Sequence, residues 1–233
     1  MQDEAVSGAL ADPSAELRRT MVDRQIKTFD VTDAAVLARM LEVPRERFLP
    51  ERLFPLAYSD AALPLEGEGG ARRTLLPPLV LARLIQGARI EPTDRVLVVA
   101  AAPGYSTALV AGLAAETTAL ESDSVLAAAL RANLESAGLG AVKVIEAPLV
   151  AGASARAPFD VILVDGAVAA RLDPLLDQLA EGGRLVAIQR LDDGSSKAVR
   201  HDRAGGAVGA RILFDAVHPT LEEFRAADAF TFT

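Results

Sequence analysis

The stretch that decides the fold runs from Arg95 to Glu121 and reads RVLVVAAAPGYSTALVAGLAAETTALE. It opens with a short apolar run, Arg95 to Ala100, and a tight turn. An Ala/Leu-rich segment, Tyr105 to Ala115, and a second apolar run, Thr117 to Leu120, follow the turn. A buried strand, a helix and a second strand in this order form a βαβ unit. The stretch therefore predicts an α/β domain built on a parallel sheet.

The alternation continues after Glu121 and then changes character. Two segments, Lys197 to Arg203 and Arg211 to Val217, are joined across Gly205-Gly206 and predict an antiparallel pair. Together the patterns predict a doubly wound, mostly parallel sheet with antiparallel C-terminal strands. The other predicted elements are a helix at Ser122–Ala137, strands at Val142–Glu146, Phe159–Val164 and Arg184–Gln189, a helix at Asp173–Leu179 ended by Gly182-Gly183, and a last edge strand at Ala229–Phe232.

A helical extension is predicted before the sheet. We expect a loose polar leader at 1–13 and a single domain at 14–233, divided into the extension at 14–89 and the core at 90–233. The extension is predicted to hold a helix from Ser14, as its N-cap, to Lys27, a second helix opened by Thr32-Asp33 and reaching Leu41, a loop region between Pro50 and Arg73, and a helix starting at Pro77-Pro78.

The composition excludes several classes of partner. The chain has 233 residues, of which 51% are hydrophobic and 24% charged, as is typical of a globular domain with a sizeable core. A net charge of −8 without a basic run argues against nucleic acid. The chain has no cysteine and only two histidines, far apart, and no apolar stretch long enough to span a membrane. We therefore expect a cytoplasmic protein without a nucleic-acid, membrane or metal partner.

Ligands of open α/β sheets bind beyond the carboxyl ends of the strands, which points first to the turn after strand Arg95–Ala100. A nucleotide-type cofactor needs close backbone approach there, and the following helix offers free amides to an anionic group. Glu121 is a second candidate, because an acid at this strand end can accept two ribose hydroxyls; the alternative is a helix cap. Asp165 is a third candidate, although Asp165-Gly166 is also a common turn pair. The residues of the turn are Ala100, Ala101, Ala102, Pro103, Gly104 and Tyr105.

The remaining polar residues have simpler interpretations. His201 and His218 have no acid or serine at a catalytic spacing, so they are predicted to be surface or packing residues. Glu66 and Glu68 stand beside glycines and are interpreted as loop solubilisers. Arg72-Arg73 is predicted to be solvated or to make a weak anion contact.

The order of several motifs resembles the protein-L-isoaspartate O-methyltransferases from about Met21 to Arg190. The N-terminal block is more specific than the sheet, because other methyltransferases of this class lack it. The resemblance implies the class I S-adenosylmethionine-dependent methyltransferase fold, which is Rossmann-like. The matching motifs are MVDRQI at 21–26, VLARM at 36–40, VPRERFLP at 43–50, AYSD at 57–60, LPL at 63–65, FDVILV at 159–164 and GGRLV at 182–186.

This resemblance also implies an activity. The family transfers the methyl group of S-adenosylmethionine to the side-chain carboxylate of L-isoaspartyl residues in damaged proteins, which begins their repair. Cofactor contacts are implied for the turn from Ala100 to Tyr105 and for Glu121, Pro148 and Asp165. Substrate-facing positions are implied for Ser59, Thr74, Leu75 and Leu76.

The chain differs from the family pattern at three places. Leu76 stands where the family has an acceptor-facing serine, so the catalytic residue is left unassigned. Val98 stands where the family has an acid that helps hold the cofactor's ammonium group, and Ala147-Pro148-Leu149 replaces a Gly-Asp-Gly segment. Two further hypotheses stay open. One is a catalytically inactive methyltransferase fold kept as a binding or interaction module, and the other is a methyltransferase for a different acceptor.

Overall fold

The computed structural model describes residues 13–68 and 72–226, and for Arg72 the backbone alone. The predicted leader up to residue 12 and the predicted strand at 229–232 lie outside the described residues. The helices are α1 Pro13–Met21, which continues as a π-helical turn Val22–Ile26, α2 Ala34–Glu42, α3 Pro78–Ala88, α4 Tyr105–Ala111, α5 Ser124–Ser136 and α6 Asp173–Leu176. The strands are β1 Leu63–Glu66, β2 Arg72–Leu75, β3 Arg95–Val99, β4 Glu116–Glu121, β5 Lys143–Glu146, β6 Phe159–Val168, β7 Leu179–Arg190, β8 Ser196–Ala204 and β9 Ala207–Asp215.

Seven strands form one mixed sheet in the order β5-β4-β3-β6-β7-β8-β9. The pairs from β5 to β7 are parallel, and the β7–β8 and β8–β9 pairs are antiparallel. The strand order reverses between β3 and β6, so a crevice is expected at their carboxyl ends. The predicted doubly wound sheet with antiparallel C-terminal strands is confirmed.

The two faces of the sheet carry two separate hydrophobic clusters. Along β3, Val96 and Val98 join the cluster under the N-terminal helices, whereas Leu97 and Val99 join the cluster on the other face. Alternation of this kind follows from the two-residue period of a strand. Because both faces are covered, β3 is apolar from Val96 to Val99, after the half-buried Arg95 at its start.

A buried ion pair ties α3 to the sheet. Arg184 on β7 donates through Nε to the carbonyl of Ala88 at 2.6 Å and through Nη2 to Asp94 at 2.6 Å. It also bonds the carbonyl of Arg89, which ends α3 in a left-handed conformation with φ 49°. The arginine thereby satisfies helix-end carbonyls that have no partner within the helix.

Three predictions about the core elements are corrected. Asp165-Gly166 is not a turn, because β6 continues through it to Val168 with a register irregularity. The helix predicted to Leu179 ends at Leu176, since the Gln178 carbonyl accepts the Phe159 amide and draws the chain into the sheet. Gly182-Gly183 therefore lies inside β7. A Cβ on Gly183 would come within 3.0 Å of two backbone oxygens, so only glycine fits there.

Two predictions about the extension are also corrected. The region between Pro50 and Arg73 contains a 3₁₀ turn, Glu51–Leu56, and the antiparallel hairpin β1–β2. The helix predicted to be capped by Ser14 already begins at Pro13, where a proline is tolerated because first-turn amides need no helical partner. Asp33 does cap α2, by accepting from the amides of Ala35 and Val36. None of the helices in the described part of the chain is long and apolar enough to cross a bilayer.

Candidate cofactor and acceptor site

The three candidate elements meet at the carboxyl ends of the central strands. Val99, the last residue of β3, is paired with Leu120 on β4 and with Val164 on β6. The turn after β3, Glu121 and Asp165 are therefore neighbours across the sheet. The structure brings together the three positions that the sequence singled out.

The turn after β3 is buried. Ala100, Ala101 and Ala102 are at most 2% exposed, and Tyr105 is fully buried. Ala100 and Gly104 adopt positive φ angles of 59° and 111°, a conformation that favours glycine. At Gly104 a Cβ would also lie 3.1 Å from Leu130 and 3.3 Å from Phe48. Glycine is therefore favoured at position 104 by the backbone conformation and by the close approach of Leu130 and Phe48.

Glu121 is fully buried, and both oxygens of its carboxylate accept hydrogen bonds. Its Oε1 accepts from the amides of Ser122 at 2.9 Å and Asp123 at 3.2 Å, and its Oε2 accepts from Ala102 at 3.3 Å. Arg73 on β2 forms an ion pair with Oε1. Arg73 was predicted to be solvated or to make an anion contact, and the solvated alternative is wrong, because its side chain is 11% exposed and pairs with the Glu121 carboxylate. The side chain of Arg72 lies outside the described residues.

Asp165 is buried without a hydrogen-bond partner. Only 3% of it is exposed, and neither carboxylate oxygen has a partner in the described part of the chain. Burial raises the pKa of the Asp165 carboxyl to about 6, against a lowering influence of the nearby Ser106 hydroxyl and of Arg45. The Ser106 hydroxyl also has no hydrogen-bond partner among the described residues. Both side chains can therefore still form hydrogen bonds to a ligand beside the turn.

Arg45 is an arginine with no exposed surface. It comes from the 3₁₀ turn Arg45–Phe48 and donates through Nη2 to the Leu76 carbonyl at 2.8 Å. Its Nε and Nη1 have no partner among the described residues. The guanidinium lies 4.9 Å from the centre of the Tyr105 ring, a favourable cation–π distance. Burial lowers the pKa of Arg45, although an arginine stays charged in proteins.

The segment that the resemblance placed towards the substrate is largely part of the core. Leu75 is 1% exposed and Leu76 has no exposed surface. Thr74 pairs with Pro64 in the hairpin, and its carbonyl lies 3.1 Å from Nε2 of His218. Ser59 is half-buried, and its hydroxyl donates to the Leu56 carbonyl at 2.7 Å.

A cleft of about 840 Å³ opens between the hairpin, the end of β4 and the C-terminal segment. Its walls include Arg73, Thr74, Ser122 and Glu223. Glu223 also accepts from the Leu149 amide at 2.8 Å, just after the exposed Pro148. The C-terminal segment 219–225 thus lies over the ends of β4 and β5, where the predicted cofactor contacts are.

Three residues of this site, Arg45, Ser106 and Glu223, were missed by sequence reasoning. Arg45 is part of the VPRERFLP motif, which also contains Glu46 and Arg47, so the sequence did not single it out. Glu223 gave no signal, since it acts through a contact with a residue far away in the chain. His201, which contacts Gln189, and His218 are both 8% exposed and serve as packing residues. Residues 13–68 and 72–226 contain no group of His, Cys, Asp and Glu able to hold a metal ion.

The strand order and the position of the site are those of the class I S-adenosylmethionine-dependent methyltransferase fold. A solved protein-L-isoaspartate O-methyltransferase matches it with a TM-score of 0.77 and 21% identity over 89% of this chain, which spans 65% of that longer chain. A crystal structure of a beta-aspartate methyltransferase (PCMT) from Plasmodium falciparum, in complex with S-adenosyl-L-homocysteine, matches with a TM-score of 0.71 and 20% identity, over 90% of this chain and 98% of its own.

Sequence comparison then gives the family. Residues 16–217 match the family model of protein-L-isoaspartate(D-aspartate) O-methyltransferase (PCMT). The chain is 40% identical over 169 residues to the protein-L-isoaspartate O-methyltransferase of Koribacter versatilis, covering 72% of this chain and 74% of that protein. It is 38% identical over 177 residues to that of Methanoculleus marisnigri, covering 76% and 79%. The chain belongs to this family, so the predicted resemblance is confirmed.

Proposed function

We propose that this protein is an S-adenosylmethionine-dependent carboxyl methyltransferase that acts on L-isoaspartyl residues of damaged proteins. Membership of the family over residues 16–217 is the observation that carries the proposal. The position of Glu121 supports it, because this buried acid lies at the carboxyl end of β4, where nucleotide-type ligands bind in such sheets.

The residues present fit such a cofactor at its amino-acid end. Asp165, Ser106 and Arg45 supply buried polar atoms that have no partner in the described part of the chain. When bound, the cofactor supplies a methyl group on a positively charged sulfur, which a carboxylate oxygen can take. The task of the protein is therefore to orient the acceptor carboxylate and to exclude water, so positioning and electrostatics supply the rate.

At the expected ribose end of the site, the Glu121 carboxylate is placed to accept hydroxyl groups, but it already pairs with Arg73. Three backbone amides fix its carboxylate, and Arg73 forms an ion pair with the oxygen that two of them also share. Ribose hydroxyls must then share Glu121 with Arg73 or displace it. The predicted cofactor contacts of the turn from Ala100 to Tyr105 and of Pro148 remain part of this proposal.

The test is methyl transfer from labelled S-adenosylmethionine to a peptide with one L-isoaspartyl residue, compared with the same peptide carrying ordinary aspartate. We expect base-labile label on the isoaspartyl peptide alone, because a carboxyl methyl ester hydrolyses in base. In Glu121→Gln the label is expected to fall at least tenfold, since an amide is a poorer acceptor for two hydroxyls. Absence of label at saturating cofactor would contradict the proposal.

A second function, a methyltransferase fold retained as a binding module without catalysis, is favoured by one specific observation. Two polar groups that a ligand could use are already bound within the chain. Glu121 pairs with Arg73, and the Leu149 amide donates to Glu223. Leu76 in place of a serine adds to this hypothesis. Calorimetric titration with S-adenosylhomocysteine separates the two functions, because the module predicts no binding at millimolar ligand.

A further inference from the structure

Buried polar atoms without partners cluster around one carboxylate. Asp165 has two unpartnered oxygens, Ser106 an unpartnered hydroxyl, and Arg45 two unpartnered nitrogens, all counted within the described residues. Ser106 and Arg45 are both close enough to Asp165 to influence its titration. A buried charge without hydrogen bonds is strongly unfavourable in a protein interior. Retaining an acid and a base in this state indicates a polar partner from outside the chain.

Asp165 is the carboxylate at this edge with free capacity. Glu121 already accepts from three backbone amides and pairs with Arg73, so it is the more heavily engaged of the two acids. Asp165 lies two residues after Leu163, which is the register partner of Val98 on β3. Residues two apart on a strand share a face. Asp165 therefore projects on the same face as the apolar Val98, beside the turn.

Arg45 is the matching positive group. Its Nη2 is held by the Leu76 carbonyl, and its Nε and Nη1 remain available. Among the ion pairs of the described residues, none joins Arg45 to Asp165, although each charge influences the other. An acid and a base that lie within electrostatic range of each other without pairing suit a ligand that carries both charges, such as an α-amino acid group.

We infer that Asp165 and Arg45 hold the zwitterionic amino-acid end of the cofactor, with Asp165 and Ser106 receiving the α-ammonium group and Arg45 receiving the α-carboxylate. This inference rests on the proposed function and names which residues bind that part of the ligand. Asp165 on β6 thereby binds the ammonium group, which the apolar Val98 on the neighbouring β3 cannot do.

The charges of the region are consistent with a ligand end of zero net charge. Asp165 and Glu121 contribute two acids, and Arg45 and Arg73 contribute two bases. The cleft of about 840 Å³ reaches Arg73, which lies within electrostatic range of Asp165. The inference places the nucleoside end of the ligand in this cleft and its amino-acid end at Asp165.

The test compares two ligands by isothermal titration. S-adenosylhomocysteine carries the amino-acid group, and 5′-methylthioadenosine has the same nucleoside without it. We expect Asp165→Asn to weaken S-adenosylhomocysteine at least tenfold and to change methylthioadenosine less than twofold. Arg45→Lys should show the same selective loss. Thr117→Val, which removes another unpartnered buried hydroxyl at the opposite end of β4, is the control and should change neither affinity.

Each possible result of the titrations either supports the inference or overturns it. Equal loss of both ligands in Asp165→Asn, or no loss, overturns the inference while the proposed function stands. Failure of the unmodified protein to bind either ligand overturns both. A ligand-side measurement needs no variant: S-adenosylhomocysteine lacking its α-amino group should bind the unmodified protein at least tenfold more weakly than the complete ligand. Equal binding of the two would also overturn the inference.

Discussion

Among single residues, Asp165 has the clearest energetic consequence. Its carboxyl pKa is raised to about 6 by burial, so the folded state favours the protonated form. The resulting stability is fully present below pH 4 and is lost as pH rises through 6. We expect Asp165→Asn, which has no charge to bury, to be more stable than the unmodified protein by about 2 kcal/mol at pH 8 and by much less at pH 4. Urea unfolding at both pH values measures this difference, and a pH-independent difference would contradict it.

Arg73 is the residue that links stability to ligand access. Arg73→Met keeps the apolar stem and removes the charge paired with Glu121. We expect the free energy of unfolding to fall by about 2–4 kcal/mol, because a buried acid loses its partner. The affinity for S-adenosylhomocysteine should rise several-fold, because Glu121 becomes free for hydroxyl groups.

The control for Arg73 is an exposed ion pair that involves a residue of the same hairpin. Arg52 pairs with Glu66 on β1, and both side chains are more than half exposed. Arg52→Met is therefore expected to change stability by less than about 1 kcal/mol and to leave affinity unchanged. If Arg73→Met binds S-adenosylhomocysteine no better than Arg52→Met does, Arg73 does not compete with the ligand.

At the scale of elements, the sequence predicted the strands of the core but not their full lengths. The apolar residues of β3 and of the Ala119-Leu120 end of β4 located these strands, because the buried part of a parallel strand is mostly apolar. The ends of β6 and β7 were wrong, since Asp165-Gly166 and Gly182-Gly183 have turn chemistry locally but are held in strands by the neighbouring backbone. Local patterns cannot report such long-range pairing.

The contacts of the site escaped prediction for the same reason. Glu121 and Asp165 were found because each follows a predictable strand. Arg73 was misjudged because its partner is 48 residues away, and only the fold of the β1–β2 hairpin over β4 brings the two together. The sequence thus predicted which acids lie at the sheet edge, whereas their partners required the structure.

The end of α3 gives a prediction at the element scale. Arg184 bonds the helix-end carbonyls of Ala88 and Arg89 and the carboxylate of Asp94, and both charged side chains are 9% exposed. We expect Arg184→Met to lower the free energy of unfolding by about 3–5 kcal/mol, because one buried charge and two carbonyls lose their partner. Chemical denaturation measures this.

Arg131→Met is the matched control for that loss. Arg131 pairs with Glu146, but both side chains are more than 40% exposed, so the cost is expected to stay below about 1 kcal/mol. Equal losses in the two variants would mean that Arg184 contributes through its apolar stem and not through its buried hydrogen bonds.

For the whole molecule, two segments far apart in sequence cover one edge of the sheet. The β1–β2 hairpin reaches Glu121 through Arg73, and segment 219–225 reaches the Leu149 amide through Glu223. His218, which immediately precedes the second segment, also contacts the Thr74 carbonyl of the hairpin. A ligand in the cleft between them must contact both, so they are expected to respond together.

Amide hydrogen exchange tests this coupling. Saturating S-adenosylhomocysteine is expected to slow exchange in β1 and in segment 219–225 by similar factors, because a bound ligand reduces local opening of both walls. The β8–β9 pair lies at the far edge of the sheet and should exchange at an unchanged rate. Slowing confined to one wall would place the ligand outside the shared cleft, and uniform slowing across β8 and β9 would indicate global stabilisation alone. Joint slowing of the two walls would mean that the hairpin and the C-terminal segment act as one cover, whose opening governs access to Glu121.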